Sequence, residues 1–159
     1  ILSIACSLKG KGKFYIHDID ERKLKEADLR AKRAGVKFRR LEAKNLQKYH
    51  CSFDYIIADV PCSGSGAWRR NPQQKWRITP ESLNEILTRQ TVILNEVKDL
   101  LKKNGYIYYI TCSLLKIENE EVIQKFLIDN KYFRLVNKKN VTIDNYGDGF
   151  FCAVLQKKN

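Results

Sequence analysis

Two cysteines and two aspartates are the residues of this sequence best suited to chemistry. Cys62 lies in "DVPCSGSGAWRRNP", residues 59–72, and Cys112 lies in "YITCSLLK". Asp59 precedes Cys62 by three positions, and Asp18 ends "FYIHD". A thiolate is a nucleophile, and a carboxylate binds hydroxyl and amino groups or accepts protons. The sequence therefore raises the question of which elements bring these side chains together.

The remaining cysteines do not suggest a metal site or a disulfide framework. The chain has five cysteines, an odd number, and two histidines. No CxxC pair occurs, and His17 and His50 stand at no metal-ligand spacing from a cysteine. Zinc and structural disulfides are therefore poor interpretations. We expect Cys6, Cys51 and Cys152 to be small buried apolar residues.

Each candidate residue follows a segment that is predicted to be a β-strand. The predicted strands that precede them cover residues 13–18, 53–60 and 106–111. The run "FDYIIADV" is almost continuously apolar, which is typical of a strand buried on both faces of a parallel sheet. Ligands of open α/β sheets bind outside the carboxyl ends of the strands. Parallel strands would therefore place Asp18, Asp59, Cys62 and Cys112 along one rim.

Helical patterns alternate with these strands. Thr79 and Pro80 are typical of a helix start, as N-cap and first-turn residues, and Gly105 is typical of a helix end. Predicted helices cover residues 21–35, 79–105 and 116–130, an apolar helix opens the chain, and further strands cover 36–41, 133–136 and 150–156. Such alternation predicts an α/β fold.

Asp18 has two interpretations. A carboxylate that closes the second strand of a nucleotide-binding α/β fold holds the ribose of the ligand. Asp18 is also compatible with a simple strand end. Asp20 is better interpreted as the N-cap of the following helix, because it stands just before "ERKL".

Composition indicates a cytosolic globular domain with a polyanionic partner. The chain has 159 residues, is 43% hydrophobic and carries a net charge of +12. No apolar run reaches the roughly 18 residues of a membrane span, and the opening segment has the reverse polarity of a secretory signal. A basic excess favours a nucleic acid as partner, although lysines on solvated faces would give the same charge.

Three segments resemble the Sun-type RNA cytosine-C5 methyltransferases. They are "DVPCSGSGAWRRNPQQKW", "YITCSLLKIENEE" and "DGFFCAVL", and the match extends from "HDID" to the last strand in the order and spacing of the family. It is nearest to the bacterial enzymes that methylate small-subunit ribosomal RNA. The resemblance implies a Rossmann-like methyltransferase fold, a mostly parallel sheet with a C-terminal antiparallel strand, S-adenosylmethionine as cofactor, and RNA as partner.

The resemblance also implies separate roles for the two cysteines. In this family the cysteine of the "TCS" motif, here Cys112, adds to carbon 6 of cytosine so that carbon 5 can attack the methyl donor. The cysteine of the "PCSGSG" motif, here Cys62, helps to remove the carbon-5 proton and to release Cys112. Asp59 is implied to hydrogen-bond the cytosine edge or the cofactor. Two buried, inert cysteines would be the structural alternative.

The segment after Cys62 is expected to contact RNA. Arg69, Arg70 and Lys75 are placed to meet phosphates, with Arg77 beside them. Trp68 and Trp76 have two equally open interpretations, as stacking platforms for bases or as core residues.

The sequence departs from the family at its start. The family has a first strand and a Gly-rich loop of the "PGGKT" type, which approaches the methionine end of the cofactor, and neither is present. We therefore expect residues 1–159 to be a single, partial catalytic domain, inactive on its own, in which two strands lack their central partner. Glu42 lies off the register of the family's adenine-binding acid, so that role is not transferred.

Two rival functions remain at this stage. A non-catalytic RNA-binding or ribosome-assembly module would keep the fold but would need neither thiol. A redox or metal protein would need cysteine spacings that are absent. We expect a cytoplasmic monomer.

Overall fold

The computed structural model describes residues 1–144 and 147–159, which form two compact units, Ile1–Tyr49 and His50–Asn159. Each unit contains one β-sheet. Among the described residues, none of the helices combines the length and the apolar character that crossing a membrane requires.

The first unit contains a parallel pair of short strands. Its elements are α1 (Leu2–Ser7), β1 (Phe14–Ile16), α2 (Glu21–Arg33), β2 (Phe38–Arg40) and a 3₁₀ turn (Ala43–Tyr49). The prediction that Asp20 caps α2 is confirmed, because its Oδ1 accepts a hydrogen bond of 2.9 Å from the backbone N–H of Arg22. Gly35 follows the helix with a φ of +68°, a conformation that favours glycine. Strand β1 ends two residues before Asp18, earlier than predicted.

The second unit contains a four-stranded sheet in the order β3-β4-β6-β5. Its elements are β3 (Phe53–Asp59), a 3₁₀ turn (Ser65–Ala67), α3 (Gln73–Arg77), α4 (Pro80–Leu100), β4 (Leu101–Thr111), a 3₁₀ turn (Lys116–Glu118), α5 (Glu120–Asp129), β5 (Phe133–Val141) and β6 (Phe150–Lys157). β3 and β4 are parallel, whereas β6 is antiparallel to both β4 and β5. Three strands therefore run in one direction and the last strand runs against them, as predicted.

The core of this unit joins helices α4 and α5 to the sheet. Leu94 of α4 and Phe126 of α5 belong to one buried cluster with Ile107, Tyr109 and Leu155 of the sheet. The prediction of Thr79 as the N-cap of α4 is confirmed. Its Oγ1 accepts a hydrogen bond of 3.2 Å from the N–H of Ser82, and its own N–H donates one of 2.9 Å to the Ser82 hydroxyl. This is a reciprocal capping arrangement.

Three local predictions were wrong. Helix α4 ends at Leu100 instead of Gly105, because Leu101 turns into the core, where it is fully buried, and starts β4. Strand β3 is buried on one face only, since Tyr55 is 65% exposed while Ala58 is buried. Cys6 and Cys51 are exposed instead of buried.

Candidate active site

The two cysteines singled out by the sequence lie side by side. Cys62 Sγ and Cys112 Sγ are 3.2 Å apart, and both side chains are half-buried. Cys112 directly follows β4, and Cys62 lies three residues beyond β3, its parallel neighbour. The backbone N–H of Val60 donates to the carbonyl of Ile110 at 3.2 Å, which extends the pairing beyond the end of β3. The predicted meeting of these two strand ends is therefore confirmed.

The contact between the thiols makes their acidities unequal. The hydrogen bond with the Cys62 thiol lowers the pKa of Cys112 to about 7, against partial burial, which raises it. Asp59 and Glu118 also raise the pKa of Cys112 through their negative charge. The hydrogen bond with Cys112, together with burial, raises the pKa of Cys62 above its ordinary value. At neutral pH Cys62 therefore stays protonated, and Cys112 is a thiolate in a substantial fraction of the molecules.

Small residues allow the Cys62 loop to pack closely on neighbouring backbone. Gly64 has a φ of +68°, and Gly66 donates a hydrogen bond of 2.9 Å to the carbonyl of Cys112. A Cβ on Gly66 would lie 2.1 Å from the carbonyl oxygen of Gly149, which is closer than any real contact. The N–H of Gly149 donates to the carbonyl of Gly66 at 3.0 Å. The "PCSGSG" spacing thus lets three chain segments meet beside the thiols.

A buried polar network lies directly behind the cysteines. Its members are Ser63, Ser65, Ser113 and Glu118, each at most 5% exposed. Glu118 accepts hydrogen bonds from the Ser63 N–H at 2.7 Å and from the hydroxyls of Ser63 and Ser113. The hydroxyl of Ser65 lies 3.0 Å from that of Ser113 and accepts a hydrogen bond of 2.8 Å from the N–H of Leu114. The segments that carry the two thiols are therefore joined through side chains as well as backbone.

A second set of contacts fixes the Cys112 segment. Asn119 Oδ1 accepts a hydrogen bond of 2.6 Å from the Thr111 hydroxyl, and Asn119 Nδ2 donates one of 2.8 Å to the carbonyl of Ser113. One amide side chain thus holds the residues on both sides of Cys112. The Tyr109 hydroxyl donates to the backbone carbonyl of Glu118 at 2.6 Å. Residues 118 and 119 are in this way attached to β4.

The two aspartates occupy different units. Asp59 is the last residue of β3, is exposed, and lies close enough to Cys112 for its charge to affect that thiol. Asp18 belongs to the first unit and is half-buried there. Its Oδ1 accepts a hydrogen bond of 2.8 Å from the N–H of Asp20, and its Oδ2 is 3.7 Å from Lys23 Nζ. These contacts leave part of the Asp18 carboxylate accessible, so a role at a ribose stays a prediction.

The basic residues after Cys62 differ in their surroundings. Arg69, Arg70 and Lys75 are all exposed. Arg70 forms an ion pair with Asp148, whose side chain is only 9% exposed. Lys75 Nζ lies 5.7 Å from the centre of the Trp76 ring. An RNA-binding role for the three cations remains a prediction.

The two tryptophans differ in exposure, and this difference bears on the two interpretations that the sequence left open. Trp76 is 83% exposed, which excludes a core role for this side chain. Trp68 is half-buried, and its Nε1 donates to the carbonyl of Ser63 at 3.3 Å, so it supports the Cys62 loop.

Sequence reasoning missed Glu118 and Asn119 as members of the site. The motif "KIENEE" was interpreted only as the start of a helix, although a Glu–Asn pair six residues after Cys112 is a polar signal in an otherwise amphipathic segment. Among residues 1–144 and 147–159, no group of three or more His, Cys, Asp or Glu side chains is arranged to hold a metal ion.

Comparison with known proteins identifies the family. The family described as "16S rRNA methyltransferase RsmB/F" matches residues 3–156, which is nearly the whole chain. The chain belongs to the RsmB/F family. A curated relative, ribosomal RNA small subunit methyltransferase B of Serratia proteamaculans, is 33% identical over 153 residues, covering 88% of this chain and 35% of that protein. This RsmB/F chain thus spans about a third of the length of that relative.

Solved structures show the fold of this RsmB/F chain. The crystal structure of PH0851 matches with a TM-score of 0.89 and 30% identity, over 97% of this chain and 39% of that one. A methyltransferase homologue from Pyrococcus horikoshii matches with a TM-score of 0.78 and 27% identity, over 94% of this chain and 55% of that one. The α/β arrangement is therefore the Rossmann-like fold of methyltransferases, and the predicted family and fold class are confirmed.

Proposed function

We propose that this RsmB/F chain is the thiol-bearing part of an enzyme that transfers a methyl group from S-adenosylmethionine to carbon 5 of a cytosine in small-subunit ribosomal RNA. One observation carries the proposal: two inequivalent thiols lie 3.2 Å apart at the carboxyl ends of neighbouring parallel strands. Binding of RNA alone would need neither thiol. Membership of the RsmB/F family supports RNA as the substrate.

Cys112 is the proposed nucleophile. Carbon 5 of cytosine is a poor nucleophile until a thiolate adds to carbon 6, because that addition moves electron density toward carbon 5. With the pKa of Cys112 lowered to about 7, the reactive thiolate is available at neutral pH without a separate base. The sulfur–carbon bond forms at the expense of the carbon 5–carbon 6 double bond of the ring.

Cys62 is the proposed proton acceptor and release group. Once Cys112 is bonded to carbon 6, its sulfur carries no charge, and the hydrogen bond with Cys112, the largest cause of the raised pKa of Cys62, is removed. Cys62 can then lose its proton to solvent and accept the proton of carbon 5 after methylation. The electrons of that C–H bond re-form the double bond and expel Cys112 as a thiolate. The newly protonated Cys62 donates a hydrogen bond to it, which restores the starting pair.

The carboxylates of the chain fit the proposed cofactor. S-adenosylmethionine, when bound, supplies a methyl group on a positively charged sulfur, and its ribose carries two hydroxyl donors. In the first unit, Asp18 has an accessible carboxylate just beyond β1, where such folds hold a ribose. In the second unit, exposed Asp59 is proposed to accept a hydrogen bond from the amino group of the cytosine.

The test uses an intact RsmB/F enzyme that carries this sequence, unmodified small-subunit ribosomal RNA transcribed in vitro, and S-adenosylmethionine with a labelled methyl group. We expect Cys112→Ser to abolish transfer, and Cys62→Ala to accumulate a protein–RNA adduct that survives a denaturing gel. The adduct should disappear in the double variant. Cys51→Ser is the matched control, because Cys51 is an exposed cysteine in the turn before β3. Near-normal transfer by Cys112→Ser would contradict the proposed mechanism.

A further inference from the structure

A buried carboxylate connects the two thiol-bearing segments. Glu118 is 0% exposed and accepts two hydrogen bonds from Ser63, one from its N–H and one from its hydroxyl, across a sequence separation of 55 residues. It accepts a third from the hydroxyl of Ser113. Ser63 directly follows Cys62, and Ser113 directly follows Cys112. The donors of Glu118 are thus the residues adjacent to each thiol.

The chemistry of a carboxylate suits this connection. An ionised carboxylate is purely an acceptor with two oxygens, so it can satisfy donors from two segments at once. Its amide counterpart, glutamine, would present an NH₂ group to one of the segments and lose an acceptor there. Burying a charge without a counter-charge is costly. Among the described residues, no Lys, Arg or His forms an ion pair with Glu118. The hydrogen bonds from Ser63 and Ser113 are therefore the contacts that stabilise the buried carboxylate.

Glu118 is itself held rigidly. Its backbone carbonyl accepts the hydrogen bond of 2.6 Å from Tyr109, a fully buried residue of β4. The next residue, Asn119, bonds to Thr111 and Ser113 on both sides of Cys112. The carboxylate therefore extends toward the Cys62 loop from a backbone that is hydrogen-bonded to β4. A side chain that is fixed at its base can set a distance at its tip.

We propose that Glu118 is a positioning residue for the thiol pair: by tying Ser63 to Ser113 it keeps Cys62 Sγ within hydrogen-bonding distance of Cys112 Sγ. The catalytic consequence rests on the function proposed above, whereas the geometric claim concerns the thiols alone. Glu118 would accordingly affect the reaction through Cys112 and Cys62, without touching RNA or cofactor.

Positioning and simple electrostatics predict opposite effects on Cys112. The groups that act on Cys112 are Cys62 from its loop, Asp59 from the end of β3 and Glu118 from its 3₁₀ turn; Tyr109 of β4 adds only a neutral hydroxyl. The charge of Glu118 raises the pKa of Cys112, so removing that charge alone would lower it. Losing the hydrogen bond from Cys62 would instead raise it. The sign of the change therefore identifies the mechanism.

The experiment compares Glu118→Gln with the parent chain and with Glu121→Gln, an exposed control on α5. Alkylation of Cys112 by iodoacetamide is followed from pH 5.5 to 10 by mass spectrometry of the tryptic peptide 104–116, which contains no other cysteine. We expect the pH midpoint of the parent and of the control near 7. For Glu118→Gln it should rise by about 1 to 1.5 pH units, toward the ordinary thiol value of about 8.5.

A second variant keeps the test decisive if Glu118→Gln fails to fold. Ser113→Ala retains the charge of Glu118 and removes the Ser113 hydroxyl, which donates to Glu118, accepts from the N–H of Leu115 and lies within hydrogen-bonding distance of two serine hydroxyls. It leaves both hydrogen bonds from Ser63 to Glu118 in place, so positioning predicts a smaller rise of the same sign, whereas pure electrostatics predicts no change. Far-UV circular dichroism confirms folding before alkylation. An unchanged or lowered midpoint in both variants would overturn the proposal.

Methyl transfer measured in parallel separates this inference from the proposed function. A raised midpoint in Glu118→Gln with undiminished transfer at pH 7 would support positioning and contradict the role of Cys112 as nucleophile. Normal transfer by Cys112→Ser would contradict the function without affecting the geometric claim. If both hold, the loss of transfer in Glu118→Gln should be largest at pH 7 and recover as the pH rises.

Discussion

Replacing Cys62 with alanine tests the acid–base relation between the two thiols most directly. In the parent protein the hydrogen bond across the 3.2 Å between the sulfur atoms lowers the pKa of Cys112 to about 7. The substitution removes this hydrogen bond. Without it, burial and the charges of Asp59 and Glu118 still raise the pKa of Cys112, so we expect a value of at least about 8.5, that of a free thiol. At pH 7 the thiolate fraction of Cys112 then falls from about one half to about 3% or less.

The rate of alkylation at pH 7 should fall less than this fraction suggests. A more basic thiolate is intrinsically more nucleophilic, with a Brønsted slope of about 0.4 to 0.5, which returns about a factor of five over 1.5 pKa units. The net expectation for Cys62→Ala is a decrease of at least about threefold at pH 7 and an increase of at least about fivefold at pH 10. The rate profiles of parent and variant should therefore cross.

The assay is iodoacetamide alkylation of Cys112 in the same tryptic peptide, with Cys51→Ala as the control for loss of an unrelated exposed cysteine. In urea, where the contact between the thiols is absent, parent and variant should titrate together near 8.5. Coincident profiles of the folded parent and of Cys62→Ala would refute the hydrogen bond as the cause of the low pKa.

Three further predictions concern the surroundings of the thiols. Gly66→Ala should destabilise the fold by about 1 to 3 kcal/mol in urea denaturation, because its methyl group would meet the carbonyl of Gly149 at 2.1 Å; an unchanged unfolding midpoint would contradict this packing. Thr79→Ala should cost about 1 kcal/mol by the same measurement through loss of the α4 cap, and an unaltered stability would show the cap to be dispensable. Arg69→Ala should reduce the slope of log affinity for single-stranded RNA against log salt by about 0.7, whereas Arg70→Ala should reduce it less because Arg70 is already paired with a carboxylate; equal slopes would argue against that distinction.

The sequence predicted the meeting of Cys62 and Cys112 for a general reason. Both follow apolar runs that end in polar residues, and parallel neighbouring strands bring such ends together whatever the distance along the chain. The meeting of the thiols thus depends on periodicity and topology, which a single sequence carries. The reversed direction of the last strand, in contrast, was implied by the resemblance to the Sun-type methyltransferases.

Features that depend on contacts between residues distant in sequence were not predictable in this way. Glu118 binds Ser63, 55 residues away, only because its 3₁₀ turn is attached to β4 in the correct position. The early end of α4 depends on the burial of Leu101, which competes successfully with the helical pattern continuing to Gly105. Local propensity is overridden in both cases by tertiary packing.

The antiparallel strand β6 gives this unit an unusual order of assembly. Although β6 is the last strand in sequence, it lies between β4 and β5. Both of these strands therefore lack a partner on that side until residues 150–157 have been synthesised. During synthesis the ribosome must therefore deliver Lys157 before the sheet can close, and until then β4 presents an unpaired edge of the kind that favours aggregation. Gly149, just ahead of β6, also supplies the backbone contact that steadies the Cys62 loop. A nascent chain that has emerged only to residue 144 would contain both cysteines but would lack the contact between Gly149 and the Cys62 loop.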